Sequence, residues 1–184
     1  MDKLIAYIES IVLLTQEEKD LVSNLAEIEV YKKNDFVLEH GSRCNKIWFV
    51  KSGMLRKFHL FEGKEITSWI HIENDIVTSL SAYAQQTVSE EYIQACEDSE
   101  LISITRSNSE KLAKYDSFKE FSNTLMEKEF VNIDIHTKML NQLEAKGKFE
   151  YLCKIAPEII KRAKLGYIAS ILGITQETLS RVRK

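Results

Sequence analysis

Long apolar runs, cysteine clusters and prolines are all scarce in this chain of 184 residues. No apolar stretch approaches the roughly 20 residues needed to span a bilayer. The N-terminus, M-D-K-L-I-A-Y-I-E-S, is too short and too acidic for a secretory leader, so a cytoplasmic protein without a membrane partner is expected. The three cysteines, Cys44, Cys96 and Cys153, are odd in number and far apart. That excludes a disulfide framework and a cysteine-rich metal site, and it fits a reducing compartment. The one proline, Pro157, stands where a helix would begin, and none interrupts residues 117–144. The motifs G-x-S-x-G, H-E-x-x-H and the P-loop are absent, as are internal repeats and low-complexity segments. No enzyme and no bound cofactor are expected. What remains is 44% hydrophobic and 29% charged, the composition of a globular protein with one large domain, or a medium domain plus a small one.

The net charge of -3 conceals an uneven distribution. Residues 145–184 carry +6, whereas residues 1–144 carry -9. A basic module on an acidic body suits a nucleic-acid-binding tail, because phosphate contacts supply much of such affinity.

Residues 2–27 follow a helical spacing, with Leu4, Ile5, Ile8, Val12, Leu21, Val22 and Leu25 on the apolar side. Thr15-x-x-Glu18 reads as a capping box that starts a second helix. From Glu27 the pattern becomes short runs rich in β-branched and aromatic residues, such as K-I-W-F-V, M-L-R-K-F-H-L-F and E-I-T-S-W-I-H-I. Turn signals separate them, among them Lys33-Asn34-Asp35, Gly41-Ser42, Ser52-Gly53 and Glu62-Gly63-Lys64. Short strands at this spacing predict an antiparallel sandwich or barrel, so the fold class is α+β. V-T-S-L-S-A-Y-A predicts a short helix or loop against the sheet. After Thr105 the chain turns helical: a short helix over 107–114, then a helix of about 28 residues, some 40 Å long.

That long helix carries two apolar stripes and therefore expects two packing partners. One stripe holds Phe118, Phe121, Leu125, Met139 and Leu143; the other holds Met126, Phe130, Ile133 and Leu140. The first stripe, together with Asn132, is the expected seam of a homodimer. Lys146-Gly147-Lys148 is the expected hinge. The predicted divisions are a barrel domain at 1–116, a dimerisation helix at 117–144 and a basic module at 145–184.

The last 21 residues, K-L-G-Y-I-A-S-I-L-G-I-T-Q-E-T-L-S-R-V-R-K, split into two helical patterns around a tight turn. Ile168, Leu172, Ile174, Leu179 and Val182 fill a small shared core, and Ala169 permits a close helix crossing. Gly173 takes the sharp turn and Thr175 caps the second helix. This is a helix-turn-helix pattern, whose second helix enters the DNA major groove. No strand follows Lys184 in the sequence, so no wing is expected from it.

The order of these pieces resembles the Crp–Fnr superfamily of bacterial transcription regulators. Two stretches carry the resemblance: F-V-L-E-H-G-S-R-C-N-K-I-W-F-V-K-S-G-M-L-R in the barrel and Y-I-A-S-I-L-G-I-T-Q-E-T-L-S-R-V-R-K at the end. The resemblance implies a cyclic-nucleotide-binding-like barrel, a dimer formed through the long helix and an effector pocket between barrel and helix. It also implies transcription control at a near-palindromic site on double-stranded DNA, with RNA polymerase as a further partner. By position, Gln176, Glu177 and Arg181 match the family's base-contacting residues. Arg181 suits guanine and Glu177 suits cytosine N4. Thr175, Thr178, Ser180, Tyr167, Arg183 and Lys184 are expected at the DNA backbone.

The resemblance fails where a cyclic nucleotide would be held. The family's Gly-Glu and Arg-Ser/Thr pairs are replaced by Thr78-Ser79 and Ser89-Glu90, and no Arg lies between Arg56 and Arg106. An effector pocket near Thr78, Ser79, Leu80, Ser89 and Glu90 would repel a phosphate, so cyclic AMP control is not expected. Two alternatives remain: a cupin-like barrel enzyme, or a ligand-binding dimer with a vestigial DNA module. The enzyme would need clustered metal ligands, yet His40, His59, His71 and His136 are scattered, and only His59 and His71 plausibly share a sheet.

Overall fold

The computed structural model describes residues 1–183. Two helices come first, α1 (Asp2–Glu9) and α2 (Gln16–Leu25). The capping box forms as expected: Glu18 N–H donates to the Thr15 hydroxyl, and Thr15 N–H donates to the Glu18 carboxylate at 2.8 Å. Eight strands follow: β1 (Ala26–Tyr31), β2 (Phe36–Leu38), β3 (Lys46–Ser52), β4 (Leu55–Phe61), β5 (Lys64–His71), β6 (Ile76–Val77), β7 (Glu91–Ala95) and β8 (Ser99–Thr105). A short helix α3 (Leu80–Gln85) lies between β6 and β7. The strands form two four-stranded antiparallel sheets, ordered β1-β8-β3-β6 and β2-β7-β4-β5, a jelly roll. The inner faces meet through Leu38, Trp48, Val50, Leu55, Ile93 and Leu101.

Gly53 shows why one of the turns admits only glycine. It sits at φ +102°, and a Cβ there would collide with Ser99 at the start of β8.

The outer face of the first sheet presents Phe49, Ile102 and Ile104. They pack with Leu4, Ile8, Val22, Leu112, Phe118 and Phe121 from α1, α2, α4 (Arg106–Leu112) and the long helix α5 (Asp116–Gln142). This corrects the expected dimer seam at Phe118, Phe121 and Leu125, whereas Asn132 is exposed and Met139 and Leu143 are half-buried. Phe118 and Phe121 are buried in the chain's own core, and Leu125 packs against it. The apolar side chains that α5 leaves exposed include Met126, Phe130 and Ile133 of the second stripe, with Val131 and Ile135 beside them.

The hinge is also displaced. Lys146-Gly147-Lys148 lies within α6 (Ala145–Ile155), because a glycine flanked by good helix formers is tolerated there. The break falls one turn earlier, where Leu143 and Glu144 have extended backbone with ψ 148° and 169°. The chain then runs through α7 (Pro157–Arg162), α8 (Leu165–Ile171) and α9 (Gln176–Val182). Their core of Leu152, Ala156, Ile159, Ile168, Ile171, Leu172 and Leu179 takes in Met54 and Ile70 from the barrel.

Candidate nucleic-acid interface

Helices α8 and α9 realise the expected hairpin. Gly173 makes the turn at φ +62° and nothing crowds it. The Thr175 hydroxyl accepts from Thr178 N–H at 3.1 Å and so caps α9. Leu179 is fully buried between α8 and α6, which fixes the roll of α9 about its axis. The opposite face therefore points to solvent. Thr175, Gln176, Glu177, Ser180, Arg181 and Arg183 are exposed, and Thr178 is half-buried. The Gln176 amide lies over Gly166 at the start of α8, where a Cβ would strike it. Lys184 falls outside the described residues.

Two basic or polar groups of this module are otherwise engaged. Tyr167 is stacked beneath the Arg56 guanidinium, whose carbon lies 4.2 Å from the ring centre. Arg162 is held by two barrel carboxylates, Glu73 at 2.7 Å and Glu97. The bonds from Arg162 hold Glu73 down at about 2. Part of the basic charge counted in the sequence is thus neutralised within the chain.

In the barrel, the hydroxyls expected around an effector are already bonded to other groups of the chain. The Ser79 hydroxyl donates to Glu91 at 2.8 Å, and the Ser89 hydroxyl donates to the Glu91 carbonyl at 2.9 Å. Thr78 donates to the Lys46 carbonyl at 3.0 Å and also meets the Cys44 sulfur at 3.1 Å. Ser79 and Ser89 are almost wholly buried, whereas Leu80 and Glu90 face solvent. The carboxylate turned inward is Glu91, with Lys57 3.7 Å away, a pair that sequence reasoning passed over. Counting from the β7 pairing would have found it, since Glu91 opposes His59 across β4.

A second polar centre was also missed. Glu29 on β1 accepts from Lys46 at 2.6 Å, Ser103 at 2.7 Å, Tyr31 at 2.6 Å and Trp48 at 3.0 Å. Burial alone would push its pKa up, but these four donors outweigh it and hold it at about 2. Neighbouring Arg43, Asn45 and Ser42 line the cleft above it. At the junction of barrel and α5, His136 packs edge-on against Trp69 at 5.0 Å. Burial lowers the His71 pKa to about 3, so this ring is neutral. Among the described residues, no three His, Cys, Asp or Glu side chains converge as metal ligands. Also among them, no helix is long and apolar enough to cross a membrane.

The architecture is a jelly roll joined through a long helix to a helix-turn-helix. Residues 28–116 match the cyclic nucleotide-binding domain family. Among solved structures, FixK2 from Bradyrhizobium japonicum is similar at 19% identity, over 86% of this chain and 82% of that one, with a TM-score of 0.71. The catabolite activator protein of Thermus thermophilus is similar at 20% identity, over 92% and 82%, with a TM-score of 0.59. A protein from Eubacterium rectale described as a crp/fnr-family transcriptional regulator is similar at 22% identity, over 92% and 82%, with a TM-score of 0.69. No curated relative matches in sequence. Residues 28–116 thus resemble a cyclic nucleotide-binding domain, and the chain shares its overall fold with these solved structures.

Proposed function

We propose that this protein is a dimeric transcription regulator of the Crp–Fnr type that reads double-stranded DNA through α9 and does not respond to cyclic AMP. The observation that carries this reading is the outward face of α9. Gln176, Glu177 and Arg181 occupy its exposed side while Leu179 anchors the other. An αα-hairpin with only a structural role has no reason to set that combination of base-reading groups on one free face. Thr175, Thr178, Ser180, Arg183 and Lys184 serve the phosphate backbone in this reading, whereas Tyr167 reaches it only by leaving Arg56. Its role is regulation rather than catalysis. A partner copy sits on the exposed stripe of α5 and carries a second α9 to the next half-site. RNA polymerase is the downstream partner, and the compartment is the cytoplasm.

Indifference to cyclic AMP rests on charge. A cyclic phosphate needs a cation or bare N–H groups, and the pocket offers Glu91 already paired with Lys57 and buried serines already bonded.

The test is selection from a library of randomised duplexes. A two-fold symmetric sequence is expected, bound equally with and without cyclic AMP. Arg181→Ala should weaken binding by ~1–3 kcal/mol and relax preference at one position in each half-site. Failure to enrich any sequence, or enrichment only with cyclic AMP present, would refute the corresponding half of the proposal.

A further inference from the structure

We propose that the helix-turn-helix unit is carried as a fixed extension of its own barrel, and that Arg162 positions α9 by tying that unit to Glu73 and Glu97. The inference rests on the reading of α9 as the DNA-contacting helix and concerns how it is aimed.

The socket for Arg162 is built from three turns at one end of the jelly roll. Glu73 lies in the β5–β6 turn and Glu97 in the β7–β8 turn. Arg162 Nη1 donates to Glu73 Oε2 at 2.7 Å, and Nη2 donates both to Glu73 Oε1 at 3.1 Å and to Glu97. Glu73 also accepts from Gly53 N–H at 2.9 Å, which brings in the β3–β4 turn. One planar guanidinium thus binds two carboxylates, one of them through both its oxygens, a geometry that lysine cannot copy.

Three further contacts lie along the same face and come from different residues. Thr67 N–H, on the edge strand β5, donates to the Ser170 hydroxyl of α8 at 2.8 Å. The module thereby supplies an acceptor to an exposed sheet edge. Arg56 lies between the rings of Phe58 at 3.9 Å and Tyr167 at 4.2 Å, while Glu65 at 2.7 Å and Gln94 at 2.9 Å hold its two terminal nitrogens. Met54 and Ile70 of the barrel share one buried cluster with Leu152, Ile159, Ile168 and Leu172 of the module.

The covalent connection does not supply this rigidity. Leu143 and Glu144 interrupt the helical path between α5 and α6 with extended backbone. Without the clamp, the module pivots there. With it, the direction of α9 is inherited from the barrel. Ser79 and Ser89 meanwhile have their hydrogen bonds supplied from within the chain. The aimed state therefore forms without a small molecule.

The deciding experiment follows hydrogen exchange of the Thr67 amide, beside the affinity for a duplex selected from random sequence by the wild-type full-length dimer. In Arg162→Ala, Thr67 exchange should accelerate and affinity should fall, each by about tenfold, the usual size of such coupling. Glu97→Gln, which leaves the module's own side chains untouched, should show the same changes to a smaller degree. Arg162→Lys should lie between wild type and Arg162→Ala. Unchanged Thr67 exchange in both Arg162→Ala and Glu97→Gln overturns the clamp. Faster exchange with unchanged affinity overturns its role in aiming α9. If wild type selects no duplex, the DNA reading fails, and Thr67 exchange still decides whether the two parts are tied.

Discussion

At the scale of single residues, the protein settles its buried charges by pairing them or by removing the charge. Glu29 takes the first course, with four donors drawn from β1, β3 and β8. His71 takes the second. It ends β5, paired with Leu55 of β4, and burial, helped by the Lys57 charge, lowers its pKa to about 3 against an ordinary value near 6.5. The sign of the pH dependence follows. In the unfolded chain His71 gains a proton as pH falls through about 6.5, whereas the folded protein resists until about 3. Its contribution is therefore complete above about 6.5 and is lost as pH falls toward 3. Chemical denaturation of wild type and His71→Gln at pH 7.5 and at pH 5 should show wild type losing more stability over that interval. Parallel losses would mean that His71 takes up its proton in the fold as readily as in the unfolded chain.

At the scale of elements, the local signals were legible and the long-range ones were not. The Thr15 and Thr175 caps, the Gly53 and Gly173 turns and the length of α5 all depend on neighbours within a few residues, and each formed where the spacing put it. The hinge was misplaced because Gly147 reads as a breaker, although its surroundings favour helix. Phe118, Phe121 and Leu125 were assigned to a dimer seam for the same kind of reason. Periodicity reveals that two apolar faces exist, but only tertiary packing reveals that Phe118 and Phe121 meet Tyr7 and the first sheet. The exposed stripe now carries the prediction. Phe130 is 66% exposed and its replacement by Asp removes nothing from the chain's own core. Phe130→Asp should convert a dimer into a folded monomer in sedimentation equilibrium, with unchanged far-ultraviolet circular dichroism. A dimer that survives the change would place the interface elsewhere than this stripe.

At the scale of the molecule, the question is whether a barrel and a helical module joined by a long rod are two bodies or one. The uneven charge predicted two, an acidic body and a basic tail free to face DNA. The same charges, once folded, attract each other: Arg162 from the basic part closes on Glu73 and Glu97 from the acidic part. A helical unit of this size has few buried residues of its own, and sharing Met54 and Ile70 enlarges its core. Separation of the parts would expose both sides of that cluster and leave the Thr67 amide without its Ser170 partner. The two parts should therefore unfold together. Differential scanning calorimetry of the full chain should give one transition, with calorimetric and van't Hoff enthalpies in agreement. Ile70 is fully buried on the barrel side of the shared cluster, so Ile70→Ala should cost ~2–5 kcal/mol by cavity formation and lower the temperature of that single transition. If instead the variant splits the trace, so that the module melts first and the barrel later at its original temperature, the shared core joins the two parts without making them one cooperative unit.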